Sequence, residues 1–313
     1  MPTTMPTVSV IVPTFRDSDG LRRTLRALET QTYPADQMEI LVADNTPEFA
    51  LNGEPPGGGR VRLLHAPRPG SYAARNRALD EARGDILCFT DADCEPAPDW
   101  IERGVAALAA AGGDALIAGR IESFAQNPAR PTPIEVLELL TAFPQRAYAE
   151  RQQFGATANV VTTRRVVATA GAFDDRIASG GDREFGQRVH RAGFPVVYAE
   201  AVLVRHPARR TLRAFLAKRR RTIGGVLALE RPGELLKGRF AKGLLSDVRP
   251  PLQTSLLLLR QRELGPWLHR LRAVPVLWYT RYYSAAYRLA AVARHALGRR
   301  ARTTEQVGSA QKG

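Results

Sequence analysis

Short apolar runs alternate with segments of helical periodicity through the first hundred residues of this chain, and this alternation limits the possible folds more than any other feature. Four runs have the length and composition of strands: 8–14, 39–43, 61–65 and 86–89. Helical patterns lie between them, at about 21–31 and 73–82. Strands and helices that alternate in this way predict an α/β fold with a mostly parallel central sheet flanked by helices.

Two aspartates follow the fourth run. Asp91 and Asp93 come after the continuous apolar stretch Ile86–Phe89, which is typical of a strand buried on both faces. Carboxylates beside a core are unfavourable unless positive charge meets them, and ligands of open α/β sheets bind at the carboxyl ends of strands. Mg²⁺ or Mn²⁺ shared with a diphosphate would supply that charge. A surface turn whose aspartate caps a helix is the alternative that these residues leave open.

Composition argues against several other classes of protein. The two cysteines, Cys88 and Cys94, form neither a disulfide framework nor a zinc-binding spacing. The first residues lack a basic segment with an apolar core, so no signal peptide is predicted. No stretch approaches about 18 uncharged apolar residues, so no membrane span is predicted either. We therefore expect a reducing, cytoplasmic location.

The net charge of +14 is concentrated in the last third of the chain. From Glu200 onward there are 24 Lys and Arg against 6 Asp and Glu, which leaves 21 against 25 in the rest. The first two thirds thus have the charge of an ordinary soluble enzyme. The last third has the charge of a region that meets anions, such as phosphates, anionic lipid or nucleic acid.

Residues 211–300 mix Leu, Val, Trp and Tyr with regularly placed arginines, which predicts basic amphipathic helices. These helices could contact the cytoplasmic face of an anionic membrane, or they could pack on the catalytic domain or on a partner subunit, and the residues alone do not separate these alternatives. The polar stretch 301–313 predicts a disordered tail. Residues 1–210 form the predicted catalytic domain, with a nucleotide-binding half over 7–95 and an acceptor half over 96–210.

Five segments match one family in the expected order. The segments are Val8–Thr14, Asp44–Thr46, Gly70–Asn76, Thr90–Asp93 and Gly180–Phe185. Together they resemble the inverting family 2 glycosyltransferases of the GT-A type, which move a sugar from a nucleotide diphosphate donor, and the resemblance covers about 7–225. The resemblance implies a GT-A fold, Rossmann-like, with a basic helical extension at the C-terminus.

The resemblance also implies a nucleotide site. Its residues would come from the ends of strands, the helix after Gly70 and a basic run near 218–221: Pro13, Thr14, Asp44, Arg75, Asn76, Asp91 and Arg221. Asp44 would accept a hydrogen bond from the base, which suits the ring N–H of uracil. A turn-forming Asp44 and a solvated helix face for Arg75 and Asn76 are the alternatives.

By the same resemblance, Asp93 would bind Mg²⁺ or Mn²⁺, with Asp91 beside it and His206 completing the shell. The ion would neutralise charge that builds on the leaving diphosphate. A strand-end histidine with no ligand role is the alternative for His206.

Asp182 is the predicted catalytic base, and Glu184 is its rival. An acceptor hydroxyl needs a carboxylate to take its proton, on the face opposite the leaving group. The family more often has Glu-Asp where this chain has Gly181-Asp182, so a carboxylate often associated with acceptor binding is missing. A simple N-cap role is the alternative for Asp182.

These features predict a metal-dependent, inverting glycosyltransferase that uses a nucleotide sugar, with UDP favoured. The acceptor would be a lipid carrier, polysaccharide or cell-envelope glycan. A nucleotidyltransferase would need a Gly-rich, basic loop near the N-terminus, and a nucleic-acid-binding module would need aromatic platforms. Neither is found, so no nucleic-acid partner is expected. A non-catalytic relative stays open, as do the sugar, acceptor and linkage.

Overall fold

The computed structural model describes residues 5–48, 60–229 and 238–310, with side chains described up to residue 294. The chain divides into two compact units. The first contains residues up to 126 and 141–208, and the second contains 127–140 and the residues from 209 onward. The sequence predicted that the catalytic domain ends at 210 and is followed by a helical region over 211–300. The structure additionally groups 127–140 with the C-terminal residues.

The first unit contains an eight-stranded sheet in the order β3-β2-β1-β4-β7-β6-β8-β5. The strands are β1 Val8–Thr14, β2 Met38–Asp44, β3 Val61–His65, β4 Ile86–Thr90, β5 Glu95–Pro96, β6 Leu116–Phe124, β7 Asn159–Thr163 and β8 Val196–Pro207. The first four are parallel to one another, whereas β7 runs antiparallel to both β4 and β6, and β5 runs antiparallel to β8. The sheet is therefore mixed, and β1 to β4 form the parallel part that the alternation of strands and helices predicted.

Helices cover both faces of this sheet. They are α1 Ser18–Glu29, α2 Ser71–Glu81, α3 Trp100–Ala110, α5 Gln145–Gln152, α6 Arg164–Ala170 and α7 Gly181–Arg191. Alternating side chains of the central strands enter two separate cores. Ile86 and Cys88 of β4 belong to one core, and Leu87 and Phe89 belong to the other. This explains why the sequence of β4 is apolar throughout, because neither of its faces meets water.

Residues 134–148 have a helical sequence pattern that predicts one helix, whereas the structure contains two. Helix α4 covers Pro133–Thr141, and α5 begins at Gln145. Pro144 precedes α5, and Phe143 adopts a left-handed backbone with φ 49°. Proline disfavours helical backbone at the preceding residue, so the helical pattern cannot continue through this point.

The second unit contains α4 together with four further helices: α8 Leu212–Leu229, α9 Arg239–Val248, α10 Leu252–Arg260 and α11 Trp267–Ala310. Its apolar core joins α4, α8, α10 and α11 through residues such as Val136, Phe215, Leu258 and Leu277. The sequence predicted disorder from 301, whereas α11 continues to Ala310, since the Ala, Arg, Glu and Gln of this stretch favour helix. Residues 311–313 lie outside the described part. Among the described residues, no helix is both long and apolar enough to cross a membrane.

Candidate active site

The carboxyl ends of β2, β1 and β4 lie side by side and carry most of the predicted nucleotide-binding residues. Pro13 and Thr14 end β1, and Thr14 lies opposite Asp44 in the parallel pairing with β2. Thr14 and Asp44 are both buried, and Asp91 and Asp93 follow β4 at the same edge. The structure thus places these residues where the alternation of strands and helices predicted a site.

The segment after β2 organises the loop before α2. One Asp44 carboxylate oxygen accepts a hydrogen bond from the Thr46 backbone N–H at 2.9 Å. The side-chain amide of Asn45 donates to the Ala66 and Arg68 carbonyls at 2.7 and 2.6 Å. Its oxygen accepts from the Gly70 N–H at 2.7 Å. Asn45 therefore fastens this loop to the end of β2, a role that the sequence did not reveal.

Arg75 and Asp91 form a close ion pair. A guanidinium nitrogen of Arg75 lies 2.5 Å from the Asp91 carboxylate, and the Arg75 side chain is only 4% exposed. This guanidinium also lies over the Tyr72 ring, 5.8 Å from its centroid. Arg75 thus offsets one of the two negative charges after β4, which lowers the cost of bringing a diphosphate near them.

Asn76 contacts the protein itself. Its amide nitrogen donates to the Phe173 carbonyl at 2.8 Å, and its oxygen accepts from the Phe173 N–H at 3.0 Å. These two bonds join α2 to the loop that precedes α7. The nucleotide-binding role of Asn76 stays a prediction. Arg221 lies on α8 of the second unit, where it is exposed.

Asp93 faces His206, which lies near the end of β8. The His206 Nε2 atom lies 3.7 Å from an Asp93 carboxylate oxygen, and Nδ1 lies 2.9 Å from the Pro207 carbonyl oxygen. A carbonyl can only accept, so Nδ1 donates to the Pro207 carbonyl, and the Nε2 atom is the ring nitrogen directed toward Asp93. Burial raises the pKa of Asp93, and the charge of Asp91 adds to that effect, while His206 opposes it. A cation at this point would relieve both carboxylates.

These donors fit a divalent cation. Ligand atoms of Asp93, His206 and Cys94 all lie within 4.8 Å of one another. Burial raises the pKa of the fully buried Cys94 thiol, and a neutral thiol is a poor ligand for Mg²⁺ or Mn²⁺, which prefer oxygen. Asp93 and His206 are therefore the better pair, with Asp91 close by in sequence and already bonded to Arg75.

Phe143 packs against His206 and was not anticipated. The two ring centroids lie 4.7 Å apart. Phe143 holds the left-handed backbone that separates α4 from α5, a conformation that is unfavourable for a bulky residue and is found mainly where surrounding structure enforces it. No glycine marked this turn in the sequence.

Asp182 lies in the first turn of α7, and the residue that caps this helix is Gly180, with φ 92°. The N-cap alternative for Asp182 is therefore wrong. Instead, its carboxylate accepts hydrogen bonds from the Thr157 hydroxyl at 3.1 Å and the Thr157 N–H at 3.4 Å. The Asp182 N–H donates to the Tyr72 hydroxyl oxygen at 3.3 Å.

Tyr72 is a further residue that the sequence did not assign to the site. Burial raises its pKa strongly, and the nearby Asp182 charge raises it further, so the phenol is neutral at ordinary pH. Its ring also explains the Gly181 departure from the family pattern. A Cβ at position 181 would lie 2.7 Å from two atoms of the Tyr72 ring, so no larger residue fits there without movement.

Glu184, the rival base, is held by Arg188. Two guanidinium nitrogens of Arg188 each lie 2.9 Å from one carboxylate oxygen of Glu184, which is a bidentate ion pair. Arg188 also donates to the carbonyls of Ala170, Gly171 and Ala172. Glu184 is thus engaged in fixing the loop that follows α6.

Comparison with protein families and curated proteins gives consistent matches. The family model described as "Glycosyl transferase family 2" matches residues 9–169. The chain is 33% identical over 214 residues to glycosyltransferase AglE of Haloferax volcanii, covering 67% of this chain and 69% of that protein. It is 27% identical over 231 residues to the succinoglycan biosynthesis protein ExoM of Rhizobium meliloti, covering 70% and 74%.

Solved structures share the fold. The mannosyltransferase PcManGT of Pyrobaculum calidifontis, in complex with GDP-Man and Mn²⁺, superposes with a TM-score of 0.53 at 21% identity, covering 94% of this chain and 76% of that one. S. aureus TarS 1-349, in complex with UDP, superposes with a TM-score of 0.51 at 13% identity, covering 90% and 89%. The predicted fold class, a GT-A type α/β fold with a C-terminal helical extension, is thereby confirmed.

Proposed function

Because the chain belongs to glycosyl transferase family 2, we propose that it transfers a sugar with inversion from a nucleotide diphosphate donor to a hydroxyl of a cell-envelope glycan or lipid-linked acceptor. One observation supports this most directly. A continuous series of contacts leads from Asp182 through Tyr72 and Arg75 to Asp91, so the proposed base and the proposed donor site are parts of one packed structure.

In the proposed reaction, the bond between the sugar C1 and the β-phosphate oxygen breaks while a bond from C1 to the acceptor oxygen forms. Asp182 takes the acceptor proton, Thr157 keeps its carboxylate oriented, and the Tyr72 hydroxyl accepts from the Asp182 backbone N–H. Asp93 and His206 would hold Mn²⁺ or Mg²⁺. When bound, the cation supplies electrostatic stabilisation of the leaving diphosphate.

We infer a uracil base from Asp44. It is buried at the carboxyl end of β2 and offers a carboxylate acceptor to a ring N–H. The two structural neighbours carry GDP-Man and UDP, so proteins of this fold accept either base. The glycan acceptor is inferred from the similarity to ExoM, which is a succinoglycan biosynthesis protein.

The test separates donor binding from transfer. Titration calorimetry with UDP and GDP, each with Mn²⁺ and with EDTA, is expected to show metal-dependent binding of UDP, which Asp93→Asn abolishes. Asp182→Asn should bind UDP as the wild type does. Its release of UDP from UDP-sugars should fall about 10²- to 10⁴-fold, the range typical of a lost general base.

Glu184→Gln is the matched control, because it removes a carboxylate two residues away on the same helix. It should keep most of the turnover. Near wild-type turnover by Asp182→Asn together with loss in Glu184→Gln would overturn the assignment of the base. Failure of the folded protein to bind any nucleotide would overturn the proposal as a whole.

A further inference from the structure

Helix α11 is apolar on two opposite sides. Its inner side enters the core of the second unit, where Ala273 and Leu277 pack among Val136, Phe215 and Leu258. Its outer side is also apolar, and we call the following residues the outer stripe: Leu268, Leu271, Tyr279, Tyr282 and Leu289. A helix that is apolar all round is usually buried on every side, in a protein core or against lipid.

The outer stripe is continuous and exposed. Its members recur at helical spacing, and exposed Pro275 and Ala286 fill the intervening turns. Each member of the stripe is 40–55% exposed. From Leu268 to Leu289 the stripe extends about 32 Å along the axis, at about 1.5 Å per residue. Helix α11 therefore carries a long exposed apolar surface in addition to the apolar side that it already contributes to the core.

The neighbouring helix adds to this exposed apolar character. Helix α10 packs beside α11, with the Trp278 indole donating to the Ser255 hydroxyl at 3.1 Å. Leu252, Leu256 and Leu259 of α10 are exposed, and Trp267 at the start of α11 is 61% exposed. Exposed leucines and a tryptophan therefore occur on two adjacent helices.

The charge of the residues around the outer stripe indicates which kind of partner would cover it. Between Glu263 and Glu305 the chain contains eight arginines and no acidic residue. Some of these arginines form ion pairs inside the second unit, as Arg288 does with Asp247 at 2.9 Å. Arg272 and Arg294 are exposed. An apolar stripe with arginines and tyrosines beside it matches a bilayer interface, where the rings lie at headgroup level and the arginines reach anionic phosphates.

We propose that the outer stripe docks on an anionic bilayer, with α11 lying in the plane of the interface. A second copy of this chain is the less suitable occupant, because pairing two such helices would bring their arginines together without any acidic partner from the same stretch. The proposal concerns the second unit alone and does not depend on the proposed reaction.

The experiment uses the full chain in cosedimentation with vesicles of phosphatidylcholine alone, and of phosphatidylcholine with about 30% phosphatidylglycerol. Binding is expected only with the anionic vesicles, and it should fall about tenfold when NaCl rises from about 50 to 500 mM. The triple variant Leu268→Gln/Tyr279→Gln/Leu289→Gln should lower the partition coefficient about 100-fold or more, because three large apolar side chains no longer enter the interface.

Two further variants keep the result interpretable. Phe15→Gln removes an exposed aromatic side chain of the first unit and should leave vesicle binding unchanged. Arg272→Gln/Arg294→Gln keeps the stripe and should weaken the preference for anionic over neutral vesicles. Because all these side chains are exposed, circular dichroism should show unchanged folding.

Light scattering tests the alternative occupant. A chain that is dimeric in solution, that the triple variant converts to a monomer and that binds no vesicles would overturn the proposal in favour of self-association. Equal binding to neutral and anionic vesicles would overturn the charge part of the proposal. Retention of full binding by the triple variant would overturn docking through the outer stripe.

Discussion

Gly181→Ala probes the contact between α7 and Tyr72 with a single added carbon atom. Gly181 has ordinary helical backbone rather than a positive φ, so alanine alone would favour the fold by about 0.5–1 kcal/mol. The added Cβ, however, would lie 2.7 Å from the Cε2 and Cζ atoms of Tyr72, where ordinary carbon contacts lie at about 3.5–4.0 Å. Either the buried ring or the start of α7 must move by about 1 Å.

Overpacking of this kind costs about 1–3 kcal/mol, which exceeds the gain from alanine. The expected net destabilisation is on the order of 1–2 kcal/mol, which lowers the unfolding temperature of the first unit by roughly 2–8 °C. Differential scanning calorimetry measures this shift. Asp182 is the next residue in the chain, so we also expect UDP release to fall even though no catalytic group is removed.

Two controls decide whether the contact is the cause. In a Tyr72→Ala background the ring is absent, and Gly181→Ala should change sign and become stabilising. Gly224→Ala on α8 places a Cβ where no described atom lies within 4 Å, so it should stabilise by about 0.5–1 kcal/mol. If Gly181→Ala were as stable as the wild type, or had the same effect with and without the Tyr72 ring, the steric argument would fail.

Two further predictions concern buried polar groups. Asn159→Ala should destabilise the first unit by about 2–4 kcal/mol in thermal unfolding. The substitution removes the side-chain hydrogen bonds that Asn159 makes with the Trp100 indole N–H and with the Arg120 and Val202 carbonyls. An unchanged unfolding temperature would contradict this prediction. Burial raises the pKa of Glu138, but the positive charges of Lys218 and Arg209 lower it by more. The pKa of Glu138 in the folded state is therefore below its ordinary value of 4.5. This carboxylate therefore stabilises the second unit above pH about 4.5 and loses that effect as pH falls through its folded pKa. The unfolding-temperature difference between the wild type and Glu138→Gln should accordingly be largest near neutrality and shrink in acid, and a difference independent of pH would contradict it.

The alternation of strands and helices was enough to place the strand-end residues. Asp44, Asp91 and Asp93 lie at the ends of β2 and β4, and strand ends follow from local hydrophobic patterns. Because parallel strands bring their carboxyl ends to one edge, these residues could be assigned to one site without knowledge of any side-chain contact.

The partners of the proposed base could not be found in this way. Tyr72 and Asp182 are 110 residues apart, and Thr157 meets Asp182 from a segment just before β7. That strand inserts between β4 and β6 in the antiparallel sense, and no local pattern specifies such a position in a sheet. The turn at Phe143 could not be predicted for a different reason. Its left-handed backbone usually occurs at glycine, and no glycine is present at this position.

The carboxylates of the first unit differ in the partners that the fold provides. Asp91 and Glu184 each form a close ion pair with an arginine. Asp93 instead faces the imidazole of His206, and Asp182 accepts hydrogen bonds from the uncharged hydroxyl and N–H of Thr157. A catalytic base must take a proton in each cycle, and a metal ligand must bind a cation. A carboxylate already paired with a guanidinium is poorly suited to either role, because the proton or the metal ion would have to displace a bidentate or buried ion pair. The partners therefore favour Asp182 over Glu184 as the base, and Asp93 over Asp91 as the principal metal ligand.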